Sequence, residues 1–341
     1  MFKLYWESGV AKWQSHLHDW QDGSAMVSYY ETAPLPTALA WSMHHAPVWW
    51  HHLESWATLA FELLLPVGIF VGYRRARLAT LAVLTGFQII NAATANYGFF
   101  CYLAAALHVF LLDDADVVRV ATWLRQRLRL RARVRAATPP AALWKRRASA
   151  ALLAVFVAIS LCDALVSFVR SDALMATLLP VRRLYAPWRL VNTYHLFGHI
   201  TRARIEPELQ TSDDGTTWVA HDFRHKAGDP ARRPDWVAPH QPRVDFQLWF
   251  YGLSYRAGTP EYVATLVERL CKEPAAVQSL FRAPLPAHPK AARLVFFQYH
   301  FTNAAERRAT GAWWKREPID VTETVSCDAV FPTSETLGED D

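Results

Sequence analysis

The sequence predicts a polytopic α-helical membrane bundle followed by a β-rich extramembrane domain, β-sandwich-like and of α+β type. Three observations lead there. The long apolar runs are confined to the first half of the 341 residues, although the mean hydropathy of the whole chain is near zero. Basic residues cluster between those runs in the pattern of cytoplasmic loops. The second half carries short alternating stretches bounded by turn residues.

The apolar runs fall at 55–73, 78–95, 98–112 and 148–168. Each is read as a membrane span, the third being the shortest. "RRAR" at 74–77 separates the first two, and the strongly basic stretch 114–147 follows the third. Both belong in the cytoplasm by the positive-inside rule. Two spans lie between them, so the two assignments agree. The turn at 96–98 is then outside, and the fourth span carries the chain outward. A membrane region 55–169 therefore precedes an extramembrane domain at 170–320, with an acidic tail at 321–341. Residues 1–54 are outside by the same count, with Trp49, Trp50 and Trp56 as an interfacial aromatic belt. The start of the chain lacks the basic, apolar and small-residue pattern of a signal peptide. Upstream membrane helices are expected to be missing from it.

Net charge is +5, and residues 114–147 hold ten basic and two acidic residues, so the rest of the chain sums to −3. That localisation excludes a nucleic-acid reading of the basic pI and points to the lipid bilayer as a partner. Residues 117–135 interleave Arg with Leu, Val and Trp, as in an amphipathic helix on an anionic leaflet. The alternative is a solvated linker, and "ATPPAA" (137–142) ends any helix there.

In the outer half, residues 202–226 form two extended stretches around Asp213-Asp214-Gly215, a hairpin whose Trp218 is expected in the core. Residues 292–302 read as a strand. Residues 261–281 read as a helix with Val263, Leu266, Leu270 and Val277 on its apolar side. Within 228–253, Val244, Phe246, Leu248 and Phe250 alternate as in a strand. Phe246, Trp249, Phe250 and Leu253 also make a helix face, with Pro242 at its start, and the helix is preferred. Cys271 and Cys327 lie in this half. They pair only if it faces an oxidising compartment and the fold brings them together.

Several segments together resemble the lipase maturation factor family: "YYETAPLPTALAWSMHHAPVWWHHLE" (29–54), "NYGFF" (96–100), "DDGTTW" (213–218), "GDPARRPDWVAPHQPRVDFQLWF" (228–250) and "RRATGAWWKRE" (307–317). Their order around the apolar runs matches as well. The resemblance implies a membrane-embedded factor that assists the folding or assembly of exported proteins, as family members do for secreted lipases in the endoplasmic reticulum of animals. The Arg-rich, Ala-rich composition points to a bacterial source, an inner-membrane location and a periplasmic outer domain, or a lumenal one in a eukaryote. A remoter likeness to the vitamin-K-dependent carboxylase type of bundle implies an alternative, an intramembrane enzyme acting on a lipid or peptide.

Polar residues inside spans are functional candidates: Glu62, Gln88, Asn91, His108 and Asp163, with Glu62 and His108 as the first proton-handling pair. Interhelical hydrogen bonding is the competing explanation. Arg232, Arg233, Trp236, His240, Gln241, Arg243, Asp245 and Trp249 are candidates either for client binding or for fixing the outer domain in place. His44, His45, His51 and His52 could share a helix face, but Pro47 interrupts it, and no metal is expected. No nucleophile, zinc or phosphate-loop motif is present, so neither a catalytic centre nor a cofactor is assigned.

Overall fold

The computed structural model describes residues 1–129, 142–169 and 171–330. The far end of the basic loop, with its proline pair, and residues 331–341 of the acidic tail lie outside the described residues. The helices run α1 (Phe2–Trp13), α2 (Ala25–Thr32), α3 (Ala38–His44), α4 (Val48–Leu63), α5 (Arg74–Thr94), α6 (Phe100–Leu107), α7 (Asp114–Arg127), α8 (Leu143–Phe168) and α9 (Asp172–Tyr185). After β1 (Arg204–Ser212) and β2 (Val219–His221) come α10 (Arg243–Leu253), α11 (Glu261–Lys272) and α12 (Pro274–Val277). The chain then forms β3 (Ala291–Phe301), α13 (Ala304–Thr310), β4 (Trp314–Val321) and β5 (Val325–Ser326). Contacts divide it into two units: one of residues 1–23, 53–86 and 104–199, and one of 24–52, 87–103 and 200 onward. Residues 24–52 and 87–103 thus belong with the sheet, although in sequence they flank or enter the apolar runs.

Three helical stretches are long and apolar enough to cross a membrane: Val48–Phe70, in which α4 runs on through a 3-10 turn, Arg74–Thr94 and Leu143–Phe168. The greater part of each is left uncovered by the chain itself. The expected third span is different. The helix there covers only Phe100–Leu111, roughly 18 Å at 1.5 Å per residue, against about 30 Å of hydrocarbon. The 3-10 turn His108–Leu111 ends it, and Asp113 then caps a new helix by accepting from the Asp116 amide. That helix, α7, carries Asp114 and Asp116 in its first turn and Arg125 and Arg127 in its last, the order the helix dipole favours.

The basic first turn of α5 is tied to the start of α7. Arg74 reaches Asp116 at 2.6 Å and Arg77 reaches Asp113 at 2.7 Å. The two basic segments that the charge rule assigned to one side of the membrane are therefore held together by ion pairs.

In the second unit all strand pairs are antiparallel, in the order β2-β1-β3-β4, with β5 on the start of β3. β1 and β3 pair from Arg204 opposite Tyr299 to Ser212 opposite Ala291. The β1–β2 hairpin turns at Gly215, whose φ of +74° is open to glycine at no steric cost. One sheet face carries Leu209, Leu294 and Phe296 into a core with Leu248 and Tyr251 of α10 and Val263, Leu266, Val267 and Leu270 of α11. Among the described residues there is a single sheet. The second layer expected of a β-sandwich is supplied by helices, because α10 and α11 bring the apolar stripes that cover it. Residues 243–253 are helical throughout, and Gly252 lets α10 lie directly on β1: a Cβ there would collide with the Ile205 carbonyl. Trp218 is half-buried outside this core, with the Arg293 guanidinium 4.0 Å from its ring. Cys271 of α11 is disulfide-bonded to Cys327.

Candidate functional site

The segment "YETAPLP" (30–36) runs from the last turn of α2 into a strap, and its carbonyls at 31–35 are taken by groups from elsewhere in the unit. Past the end of α2 at Thr32, Pro34 and Pro36 lack the N–H groups that would continue the helix, so those oxygens have no i+4 partner. Arg204, the first residue of β1, donates to the Glu31, Ala33 and Pro34 carbonyls, at 3.0 Å for the first and third. Trp249 of α10 donates its indole N–H to Thr32 at 2.8 Å. Asn96 donates its backbone N–H at 2.9 Å and its amide nitrogen at 3.1 Å to Leu35. The Glu31 carboxylate in turn accepts from the Phe301 amide at 2.7 Å and meets His300 at 3.0 Å and His44 at 3.6 Å. Burial pushes the His44 imidazole below the usual histidine range, and the Glu31 carboxylate only partly opposes it.

Asn96 is also the knot for the 228–253 block. Its amide nitrogen donates to Asp235 at 2.9 Å, and its oxygen accepts from Val237 at 2.7 Å and Ala238 at 2.9 Å. One buried amide thereby fills all its hydrogen-bonding positions and joins three family-like segments. The eight candidates in the block divide. Asp245 is buried, accepting from the His225 and Lys226 amides at 2.8 and 2.9 Å. Trp249 holds the strap, Gln241 packs on Gly98, and Arg232 donates to the Phe223 carbonyl at 3.0 Å. Arg233, Trp236, His240 and Arg243 are exposed. Trp236 donates only to the nearby Ala238 carbonyl, and His240 lies 6.0 Å from the His225 ring. The Arg282 guanidinium binds the Asp235 carboxylate beside them.

The sheet face opposite the apolar core is lined with charge. Arg204 and Lys226 both pair with Glu206, at 2.5 and 2.8 Å, and all three side chains are almost fully buried. Arg316 pairs with Glu208 and donates to the Tyr299 hydroxyl at 2.9 Å, and that hydroxyl donates to the Gly228 carbonyl at 2.7 Å. Burial pushes the Tyr299 phenol upward. Such charges are retained only where each has a partner.

In the first unit the expected Glu62–His108 pair does not form. Glu62 is held by Lys12 of α1 at 2.7 Å, because a helix that the apolar-run reading left out brings a buried ammonium to it. Lys12 also donates to the Leu196 carbonyl at 2.8 Å. His108 bonds Tyr5 at 2.8 Å through Nε2 and Thr85 at 2.9 Å through Nδ1. Asp163 takes Arg182 at 3.0 Å and Thr193 at 2.7 Å, with Lys3 at 3.7 Å. In the second unit, Gln88 is buried and Asn91 half-buried. Among the described residues no group of three or more His, Cys, Asp or Glu side chains is arranged to hold a metal.

Comparison with known proteins bears on the whole chain. A family model described as the lipase maturation factor transmembrane domain matches residues 1–119, and one described as the lipase maturation factor C-terminal domain matches 190–324. The chain belongs to the lipase maturation factor family. It is 28% identical to lipase maturation factor 1 of Bos taurus over 88% of this chain and 55% of that protein. It is 29% identical to lipase maturation factor 2 of Homo sapiens over 94% of this chain and 58% of that protein. The chain thus spans a little over half the length of the relatives it matches. No solved structure matches it.

Seen within the lipase maturation factor family, the quoted segments 29–54, 96–100 and 228–250 meet at Asn96, 307–317 reaches Arg204 through Trp314, and 213–218 forms the β1–β2 turn. Sequence reading missed Arg204, Glu206, Lys226 and Lys12. A signal existed for the first two: "RIEPELQ" places Arg204 and Glu206 on one face of a strand whose other face is apolar. Lys12 gave none, since a lone lysine in a short helix reads as surface.

Proposed function

We propose that this chain is a membrane-embedded maturation factor for an exported protein, with the sheet-bearing domain on the non-cytoplasmic side. The observation that carries the reading is family membership. Two others support it. The Cys271–Cys327 disulfide suits an oxidising compartment. Arg233, Trp236, His240 and Arg243 form the exposed part of a segment whose remaining residues are fixed from behind, which is how a rigid binding edge is built. The relatives' names make a lipase the first client to test. Co-expression with an exported lipase is expected to raise the yield of active secreted enzyme. A Trp236→Ala, Arg243→Ala double variant that folds normally is expected to lose that gain. An unchanged lipase yield with and without the chain, for several exported lipases, overturns the client assignment.

A second reading rests on His108, both of whose ring nitrogens are engaged, by Tyr5 and by Thr85. A hydrogen-bonded relay of this kind among apolar helices is a candidate proton carrier for chemistry on a lipid or peptide. A lipid or quinone-like molecule co-purifying with the wild type and lost in His108→Ala supports it. Undiminished retention of that molecule in the variant argues for hydrogen bonding between helices alone.

A further inference from the structure

Arg307 has no carboxylate partner among the described residues, yet it is held in place. It lies in α13, a short helix fixed by the reciprocal Asn303–Glu306 capping box. Its guanidinium carbon is 3.4 Å from the centroid of the Trp313 ring and 4.4 Å from that of Trp41. The two indoles stand at 75° with centroids 6.0 Å apart, so the arginine sits in a corner between them. The corner is rigid: Trp41 donates to the Thr302 carbonyl at 2.7 Å, and the Trp313 amide donates to the Pro230 carbonyl at 2.8 Å. Arg233 is exposed, lies 5.9 Å from the Trp313 ring and also lacks a carboxylate partner among the described residues. His45 packs against Trp41 with ring centroids 4.5 Å apart. Two nearby acids, Glu306 and Glu31, are already taken. Glu306 receives Lys315 at 3.0 Å and the Asn303 amide at 2.7 Å, and Glu31 receives His300 and the Phe301 amide.

Stacking covers the faces of a guanidinium and leaves its planar N–H edge, which takes a phosphate in two parallel hydrogen bonds. Indole walls also remove competing water, so an unpaired arginine there attracts an anion more strongly than one on an open surface. The place of the corner selects the source of the anion. His45 is followed within three residues by Val48, the first residue of the span Val48–Phe70, so the two Cα atoms are at most about 11 Å apart. Val48, Trp49 and Trp50 are exposed, as residues of a membrane–water boundary are. We propose that the Arg307–Trp41–Trp313 corner, with Arg233 and His45 at its rim, binds the phosphate of an anionic phospholipid. The lipid belongs to the leaflet that meets the N-terminal end of α4. A zwitterionic headgroup is a poorer fit, because Arg307 and Arg233 present two cations that repel its ammonium. The proposal does not depend on the client reading.

The test uses the full chain in neutral detergent, titrated with short-chain phosphatidylglycerol, short-chain phosphatidylcholine or inorganic phosphate, with the melting temperature as readout. Phosphatidylglycerol is expected to raise it saturably, and the other two to leave it unchanged at the same concentration. Arg307→Gln is expected to weaken half-saturation roughly tenfold or more, the loss of a charge-assisted pair. Arg307→Lys is expected to fall between, and Arg308→Gln on the same helix to match wild type. An equal response to phosphatidylcholine, an equal response to inorganic phosphate, or a wild-type response from Arg307→Gln overturns the proposal. If Arg307→Gln melts too low to titrate, Arg233→Gln decides: weaker phosphatidylglycerol binding supports the site, and unchanged binding overturns it.

Discussion

At the scale of residues, the amide of Asn96 does the work usually spread over a whole turn. It is 2% exposed and joins Leu35, Asp235, Val237 and Ala238. Asn96→Ala strands the Asp235 carbonyl and the Val237 and Ala238 amides, while Leu35 keeps the backbone N–H of position 96; each stranded group costs about 1–3 kcal/mol. Allowing for relaxation, we expect a loss of about 3 kcal/mol or more in chemical unfolding of the outer domain, and a loss below 1 kcal/mol would show that water replaces the side chain. Three histidines of the same unit, His44, His221 and His225, have pKa values lowered chiefly by burial. The sign follows from linkage: the unfolded chain binds protons at these sites before the folded one does, so stability is full above the ordinary histidine pKa near 6.5 and declines as pH falls through it. Glu31, Glu208 and Asp245, the carboxylates facing them, temper the loss without reversing it. A melting temperature that drops between pH 7 and pH 5.5, with a shallower drop in His44→Gln, is the expected result; a flat profile contradicts it. Little of this was legible beforehand. Asp245 and Trp249 are sequence candidates for one of two roles, and both side chains are engaged in buried bonds within the second unit. Glu62 was named for the wrong partner, because pairing depends on a neighbour fifty positions away that periodicity does not reveal.

At the scale of elements, the sequence was most informative where period and punctuation agreed. The hairpin around Gly215 and the strand β3 lie where alternation and Asp-Gly put them, and the helix expected over 261–281 forms as α11 but breaks after Lys272, where Pro274 starts α12. The helix α10 won over a strand because its apolar residues serve two sides: Leu248 and Tyr251 enter the core, and Trp249 reaches the strap. What was not legible is the helical second layer, since a hairpin motif says nothing about what covers its sheet. The apolar run at 98–112 likewise satisfied composition but not length once its helix ended at Leu111. Two outcomes belong here. Gly252→Ala drives a methyl into the Ile205 carbonyl, where backbone meets backbone and neither yields easily. A cost of roughly 1–3 kcal/mol is expected from overpacking, and a neutral result would show that α10 can lift from β1. Cys271 and Cys327 are 56 positions apart, so their bond removes about 4 kcal/mol of unfolded-chain entropy in the loop-closure account. The Cys271→Ala, Cys327→Ala double variant should lose stability of that order, and thiol counting under denaturation without reductant should find only Cys101 and Cys162 free.

At the scale of the molecule, the question is which side of the membrane each segment faces. The ion pairs Arg74–Asp116 and Arg77–Asp113 fix two basic segments to one another, which supports the proposed topology in which both lie on one side of the membrane. Lys145, Arg146 and Arg147 open α8, the most apolar span, and the positive-inside rule puts them on that same side. In the proposed topology, a single crossing by α8 delivers the sheet-bearing region to the other. The native cysteines make this testable, because Cys101 and Cys162 are buried and Cys271 and Cys327 are bonded, which leaves a silent background for a membrane-impermeant maleimide. Thr216→Cys, in the exposed β1–β2 turn, is expected to label in intact cells. Arg75→Cys, exposed in the basic first turn of α5, is expected to label only after permeabilisation. Labelling of both from outside would mean that α8 does not cross, and the reverse pattern would place the disulfide-bonded domain in the cytoplasm and remove the compartment on which the maturation role depends.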